Sequence, residues 1–172
     1  MKVVILMGSP REDGNTAAMA QAYKEGAELS GHDVEIVNVG SMKINGCLSC
    51  EYCHGEGNGN CIQQDDMQKV YPVINEAEII VFASPIYYFT MSAQIEAVIQ
   101  RFYAVGFPKK LRGCAMLLSS ASNHVYEAAK AQFNDLLAYG RLVPMGIVTA
   151  HGDENKSENL LAQIRGMGKN LG

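Results

Sequence analysis

Met1-Lys2-Val3-Val4-Ile5-Leu6-Met7-Gly8-Ser9-Pro10-Arg11-Glu12-Asp13-Gly14-Asn15-Thr16 opens the chain, and its reading decides the fold. Lys2 to Met7 is a short apolar run rich in β-branched residues and stopped by Gly and Pro, the mark of a strand buried on both faces. From Asn15 to Leu29 the pattern changes to helical character. Strand, small polar turn and helix form the first half of a βαβ unit.

Four more runs of the first kind follow, at Asp33 to Val39, Glu78 to Ser84, Gly113 to Ser119 and Val143 to Ala150. Helices are expected over Asp66 to Asn75, Ser92 to Tyr103, His124 to Tyr139 and Ser157 to Asn170. Asp65-Asp66 and Ser92 supply starts, and Gly31 and Gly140 fall where left-handed caps end helices. The alternation predicts an α/β three-layer sandwich with a five-stranded parallel sheet. Right-handed crossovers favour strand order 2-1-3-4-5. With 172 residues, 48% of them hydrophobic, one domain spanning 1–172 is large enough to bury a real core.

Bulk charge excludes some functions. The net charge is −4 and no basic run occurs, so the electrostatic footprint of a nucleic-acid binder is missing. The opening apolar run is far too short for a signal-peptide core or a membrane span, and the expectation is a cytoplasmic protein with no membrane partner. Five cysteines in such a chain argue for thiols, metal ligands or redox chemistry rather than a disulfide framework.

The Gly8 to Thr16 turn leaves backbone N–H groups exposed at a helix N-terminus, where the dipole favours an anion. Ser9, Asn15 and Thr16 can donate to a phosphate, Arg11 can add charge, and Gly14 keeps the turn small. Five residues separate Gly8 from Gly14 and Asn15 stands where a P-loop needs Lys, so the triphosphate reading fails. The G-x-G-x-x-G dinucleotide fingerprint is also absent. A monophosphate fits best, against the plain alternative of a polar βα turn. After the third strand, Pro85-Ile86-Tyr87-Tyr88-Phe89 is an aromatic segment at the sheet's carboxyl edge, suited to flanking a flat ring system, or else to packing in a core or subunit interface. Loops after strands one and three adjoin at the switch point of this sheet. Cys47, Cys50, Cys53 and Cys61 form C-x2-C-x2-C-x7-C inside the irregular Gly40 to Gln64 stretch, and a loop of that length in a compact domain is usually functional. Such a run can ligate an iron–sulfur cluster; zinc and free thiols are the alternatives. Cys114, alone in a strand, reads as core.

Gly8-Ser9-Pro10-Arg11-x-x-Gly14-Asn15-Thr16 resembles the phosphate loop of the flavodoxin-like NAD(P)H-dependent FMN reductases and the related iron-sulfur flavoproteins, and the likeness covers nearly the whole chain. The resemblance implies a flavodoxin-like fold and FMN, with Ser84 through Tyr88 against the flavin ring. It implies a third contact at Ser119 to Asn123, including Ser120 and Ser122, although this chain has serines where family members often carry glycines. The cysteine run resembles the compact motif that holds [4Fe-4S] in the iron-sulfur flavoproteins, but similar segments occur in reductases without a cluster. Homodimers or homotetramers are implied, pairing at the Tyr88-Phe89 face. The expected activity is transfer of reducing equivalents from NADH or NADPH through FMN to a small acceptor such as a quinone or free flavin. The alternative is an electron carrier using FMN and [4Fe-4S] with redox-protein partners. Because the flavin carries the chemistry, no side chain is expected as acid or base.

Overall fold

β1 (Lys2–Met7) is buried from Val3 onward, so its side chains must alternate between two apolar layers. Val4 and Leu6 enter one core with Ile80, Phe82, Met116 and Leu118; Val3, Ile5 and Met7 enter the other with Ile79, Val81, Ala115 and Leu117. The computed structural model describes residues 1–171; Gly172, the end of the expected 1–172 domain, lies outside the described residues.

α1 (Asn15–Leu29) returns the chain to β2 (Asp33–Val37), which pairs parallel with β1, Lys2 opposite Asp33. A long loop and α2 (Met67–Asn75) lead to β3 (Ile79–Tyr87), parallel to β1 on its other side with Val3 opposite Ile79. β4 (Thr90–Met91), α3 (Ala93–Arg101), β5 (Gly113–Ser120), α4 (Glu127–Gly140), β6 (Val143–His151) and α5 (Glu158–Lys169) complete the order. The sheet runs β2-β1-β3-β5-β6 with β4 paired to β3 alone. Leaving out that two-residue strand, this is the expected 2-1-3-4-5 winding. α2, α3 and α4 pack on one face, α1 and α5 on the other.

α1 and α5 meet through glycine. A Cβ on Gly26 would fall 1.9 Å from the Arg165 carbonyl oxygen, and one on Gly168 would fall 2.3 Å from the Tyr23 carbonyl oxygen. The two backbones therefore touch, and only hydrogen side chains permit it.

The structure corrects several boundaries. β2 stops at Val37 and a 3-10 turn covers Val39–Ser41. β3 continues past Ser84 to Tyr87, then folds back antiparallel with Ile86 opposite Met91. Tyr88 and Phe89 form the turn with φ of 45° and 75°, values that two-residue hairpins normally reserve for Asn and Gly. α4 begins at Glu127 because His124 is left-handed, φ 61°. Gly31 is left-handed as expected, φ 78°, but after α4 that role falls to Arg141, φ 53°, rather than Gly140. Ser92 caps α3, while the Met67 amide donates to Asp65, not Asp66.

Candidate functional site

At the carboxyl edge of the sheet, the turn after β1 and the ends of β3, β5 and β6 enclose a cleft of about 860 Å³. The N–H groups of Asn15, Thr16 and Ala17 have no acceptor along the helix. No side chain caps α1 and no acidic residue stands in its first turn. The unpaired amides of Asn15 and Thr16, both in the cleft lining, and the positive end of a 15-residue helix thus stand at the cleft. The Arg11 amide donates to Ser9 Oγ at 3.2 Å and the Gly14 amide to the Arg11 carbonyl at 3.1 Å, which sets the curl of the turn. Thr16 Oγ1 and Ser119 Oγ lie 2.7 Å apart and buried, tying α1 to the end of β5. Ser84, fully buried, accepts from the Ser92 amide at 2.9 Å and fixes α3 beneath the opposite wall. Pro85, Ile86 and Tyr87 form that wall, with Ser119, Ser120 and Ala121 across from it.

The cysteine loop lies on the α2–α3 side of the sheet. Cys47 and Cys50 are exposed, Cys53 is buried and Cys61 is half-buried, and all four line one small pocket with Arg101 and Tyr103. The pocket's volume is about 10 Å³. α3 grips the loop: the Cys47 amide donates to Gln100 at 3.2 Å, and Arg101 Nη1 donates to the Asn45 carbonyl at 3.1 Å and to Asp65 at 2.7 Å. Tyr103 donates its hydroxyl to Glu51 at 2.9 Å. Burial pushes the Cys53 thiol above its usual range, and the nearby Cys61, Glu51 and Cys47 push the same way against a backbone hydrogen bond. Cys114 is core as expected, its thiol pushed up to about 12 by burial.

Residues 1–157 match the profile of the family described as NADPH-dependent FMN reductase. The chain belongs to that family. It is accordingly an FMN-dependent NAD(P)H oxidoreductase. An iron-sulfur flavoprotein of Archaeoglobus fulgidus is 34% identical over 155 residues, covering 88% of this chain and 69% of the relative. An iron-sulfur flavoprotein of Methanocaldococcus jannaschii is 32% identical over 151 residues, 85% of this chain and 75% of that one. Among solved structures, the NAD(P)H:quinone oxidoreductase from Methanothermobacter marburgensis superposes with a TM-score of 0.75 at 20% identity, covering 99% of this chain and 96% of the other. That likeness establishes the flavodoxin-like fold.

In this chain Ser9, Arg11, Gly14, Asn15, Thr16, Pro85, Ile86, Tyr87 and Ser120 come together around the cleft. Tyr88 and Phe89 do not line it; they form the exposed hairpin tip, Tyr88 96% accessible. Ser122 stands outside the lining too, its carbonyl accepting a short hydrogen bond from Ser120 Oγ. Gly152, Asn155 and Lys156 join the cleft from the 3-10 turn after β6. Asn155 is buried, donates to the Ser120 and Gly152 carbonyls at 2.8 Å each, and so braces two cleft loops against each other. Lys156 Nζ donates to the Asp13 carbonyl at 2.6 Å. The available signal for this group is position alone: Gly152 follows a parallel strand at the sheet's carboxyl end, where ligands gather.

The uncapped helix start and the facing wall suit a phosphate-bearing flavin such as FMN. Among the described residues, no three His, Cys, Asp or Glu side chains converge on a single ion-sized point. The four cysteines around one pocket would supply the thiolate donors that an iron–sulfur cluster uses. Admitting it requires this part of the loop to open.

Proposed function

We propose that the cleft holds FMN with its phosphate on the opening amides of α1 and its ring between Pro85-Ile86-Tyr87 and Ser119-Ser120-Ala121, and that NADH or NADPH supplies hydride for a small acceptor such as a quinone or free flavin. The observation that carries this reading is the uncapped N-terminus of α1 opening on a roofless cleft beside an aromatic strand end. Bound FMN would supply hydride acceptance and electron release. The chain's own contribution is position and charge. Backbone donors and Arg11 and Lys156 meet the phosphate, Ser9 and Thr16 hold the turn's shape, and Tyr87 borders the ring. Five free thiols fit the reducing interior of a cell, and the exposed Tyr88-Phe89 tip is the face on which two copies would pair.

FMN titration followed by flavin fluorescence, with anaerobic NADH and NADPH oxidation against a quinone series, tests this. Tight 1:1 binding with turnover supports it; failure of FMN to bind ends it.

A second reading is favoured by the four cysteines around one pocket: a [4Fe-4S] cluster that exchanges electrons with FMN and with redox-protein partners. The names of the two curated relatives, both iron-sulfur flavoproteins, support it. Iron and sulfide quantitation of oxygen-protected protein separates it from the first.

A further inference from the structure

Among the described residues Arg101 is the largest fully buried side chain, 1% exposed, at the last position of α3. A guanidinium carries five donors and a permanent charge, and burying it is costly unless each is met. Nη1 spends both of its hydrogens, on Asp65 at 2.7 Å and the Asn45 carbonyl at 3.1 Å. Nε donates to the Tyr71 hydroxyl at 3.3 Å, which in turn donates to the Arg101 carbonyl. Nη2 is buried and has no partner. Two donors on a charged group are thus left over; the other buried side-chain atoms without a partner, on Tyr23, Asn38, Glu96 and Asn155, belong to neutral groups or to a carboxylate oxygen, and none is a cationic donor.

Arg101 also lines the pocket formed by Cys47, Cys50, Cys53 and Cys61. The other polar side chains of that wall are engaged elsewhere. Glu51 accepts from Tyr103 and stands 3.2 Å from His54, and the Gln63 amide donates to the Gly46 carbonyl. The four cysteine sulfurs stand in the same wall as acceptors for a buried donor.

We propose that Arg101 is the charge-neutralising positioning residue of an iron–sulfur cluster held by the four cysteines, its two Nη2 hydrogens donating to cluster or cysteinyl sulfur. The inference rests on the second reading above. A [4Fe-4S] centre with four thiolates is anionic and gains further negative charge when reduced. Hydrogen bonds to sulfur and a fixed cation nearby therefore favour the reduced form and raise the potential. Arg suits the role where Lys does not, because its fork can hold Asp65 with one nitrogen and sulfur with the other. Asp65 offsets part of the charge but accepts on Nη1, leaving Nη2 to the pocket.

The test uses the full chain, reconstituted anaerobically with ferrous iron and sulfide, as wild type, Arg101→Lys and Arg101→Met. Iron and sulfide per chain, the electron paramagnetic resonance spectrum of the reduced protein and its midpoint potential are measured, with thermal unfolding of the iron-free proteins alongside. The expected result is a loaded wild type and a potential lowered in Arg101→Met by about 59 mV, a tenfold change in a one-electron reduction equilibrium. Arg101→Lys should fall in the same direction by less. Because Arg101→Met strands the Asp65 carboxylate, Arg101→Lys, which keeps that ion pair, decides the matter if the first variant does not fold. A wild type that takes up no iron overturns the role together with the cluster reading. A loaded wild type whose potential and spectrum are matched by the variants overturns the role of Arg101 alone and leaves the cluster reading standing.

Discussion

The cleft at the sheet's edge and the cysteine pocket beside α3 are built from different materials. The cleft takes its donors from the backbone at a helix start and its walls from strand ends, so it exists as soon as the sheet and α1 are in place. The cysteine pocket takes its thiols from side chains on an irregular loop and the rest of its wall from the end of α3, encloses about 10 Å³, and depends on a buried ion pair for its anchorage. Left-handed backbone at Ser49, Glu51 and Asn58 adds strain that a packed strand would not tolerate. A site made of main chain arrives with the fold, whereas a site made of side chains depends on how its loop is held.

Each half of that contrast can be broken separately. The largest effect is expected at Asp65→Asn, which removes one partner of the buried pair with Arg101 and should cost about 3 kcal/mol of iron-free stability at neutral pH, with FMN affinity unchanged. Burial pushes the Asp65 carboxyl up, but the Arg101 hydrogen bond and the amides of Asn45 and Met67 outweigh it and hold it below the usual range. A carboxyl lowered in this way stabilises above its unfolded value of about 3.9 and loses that contribution as pH falls through the folded value. Urea midpoints should therefore show the gap between wild type and Asp65→Asn narrowing below about pH 4; a gap that persists in acid contradicts the ion-pair account.

Asn15→Asp sharpens the other half. A carboxylate in the first turn of α1 competes with the phosphate and should weaken FMN about a hundredfold, ~2.7 kcal/mol. The same carboxylate suits the helix dipole and should stabilise the flavin-free protein by about 0.3–1 kcal/mol. Opposite signs in fluorescence titration and thermal unfolding are the signature; equal loss in both points to plain misfolding. Gly26→Ala acts at a distance. Its methyl would meet the Arg165 carbonyl, and separating α1 from α5 should cost about 1–3 kcal/mol and loosen FMN with it. The cysteine region should keep its iodoacetamide reactivity. The smallest effect belongs to Tyr88→Asn with Phe89→Gly, which relieves left-handed strain at the hairpin tip and should add about 1 kcal/mol of stability. FMN affinity should stay the same, and sedimentation should shift toward monomer if two copies pair there.

How much of this is legible in sequence follows the same division. The five parallel strands and the turn after β1 announce themselves because burial on both faces and a helix start are local patterns. The hairpin at Tyr87 to Met91 does not, since its turn is made by Tyr88 and Phe89 without the Asn or Gly that such turns advertise. Arg141 hides its left-handed role for the same reason. Asn155 and Lys156 reach the cleft only because β6 lies beside β5, a fact about sheet order that no local window contains. Arg101 looks like an ordinary cation at a helix C-terminus; that it turns inward is set by Asp65, thirty-six residues earlier in the chain. The cysteine spacing is plain to read, but what it encloses is decided by α3.

The crossing of α1 over α5 fixes something that no loop residue can reset. Helices seated main chain against main chain have no side-chain cushion to slide on, so α1 is splinted through its C-terminal half, at Tyr23 to Ala27, and the height of its first amides above the strands is held with it. A visiting anion is accordingly gauged by reach: a phosphate on a tether of the right span docks without rearranging the protein, and one held too short or too long forfeits the dipole it came for.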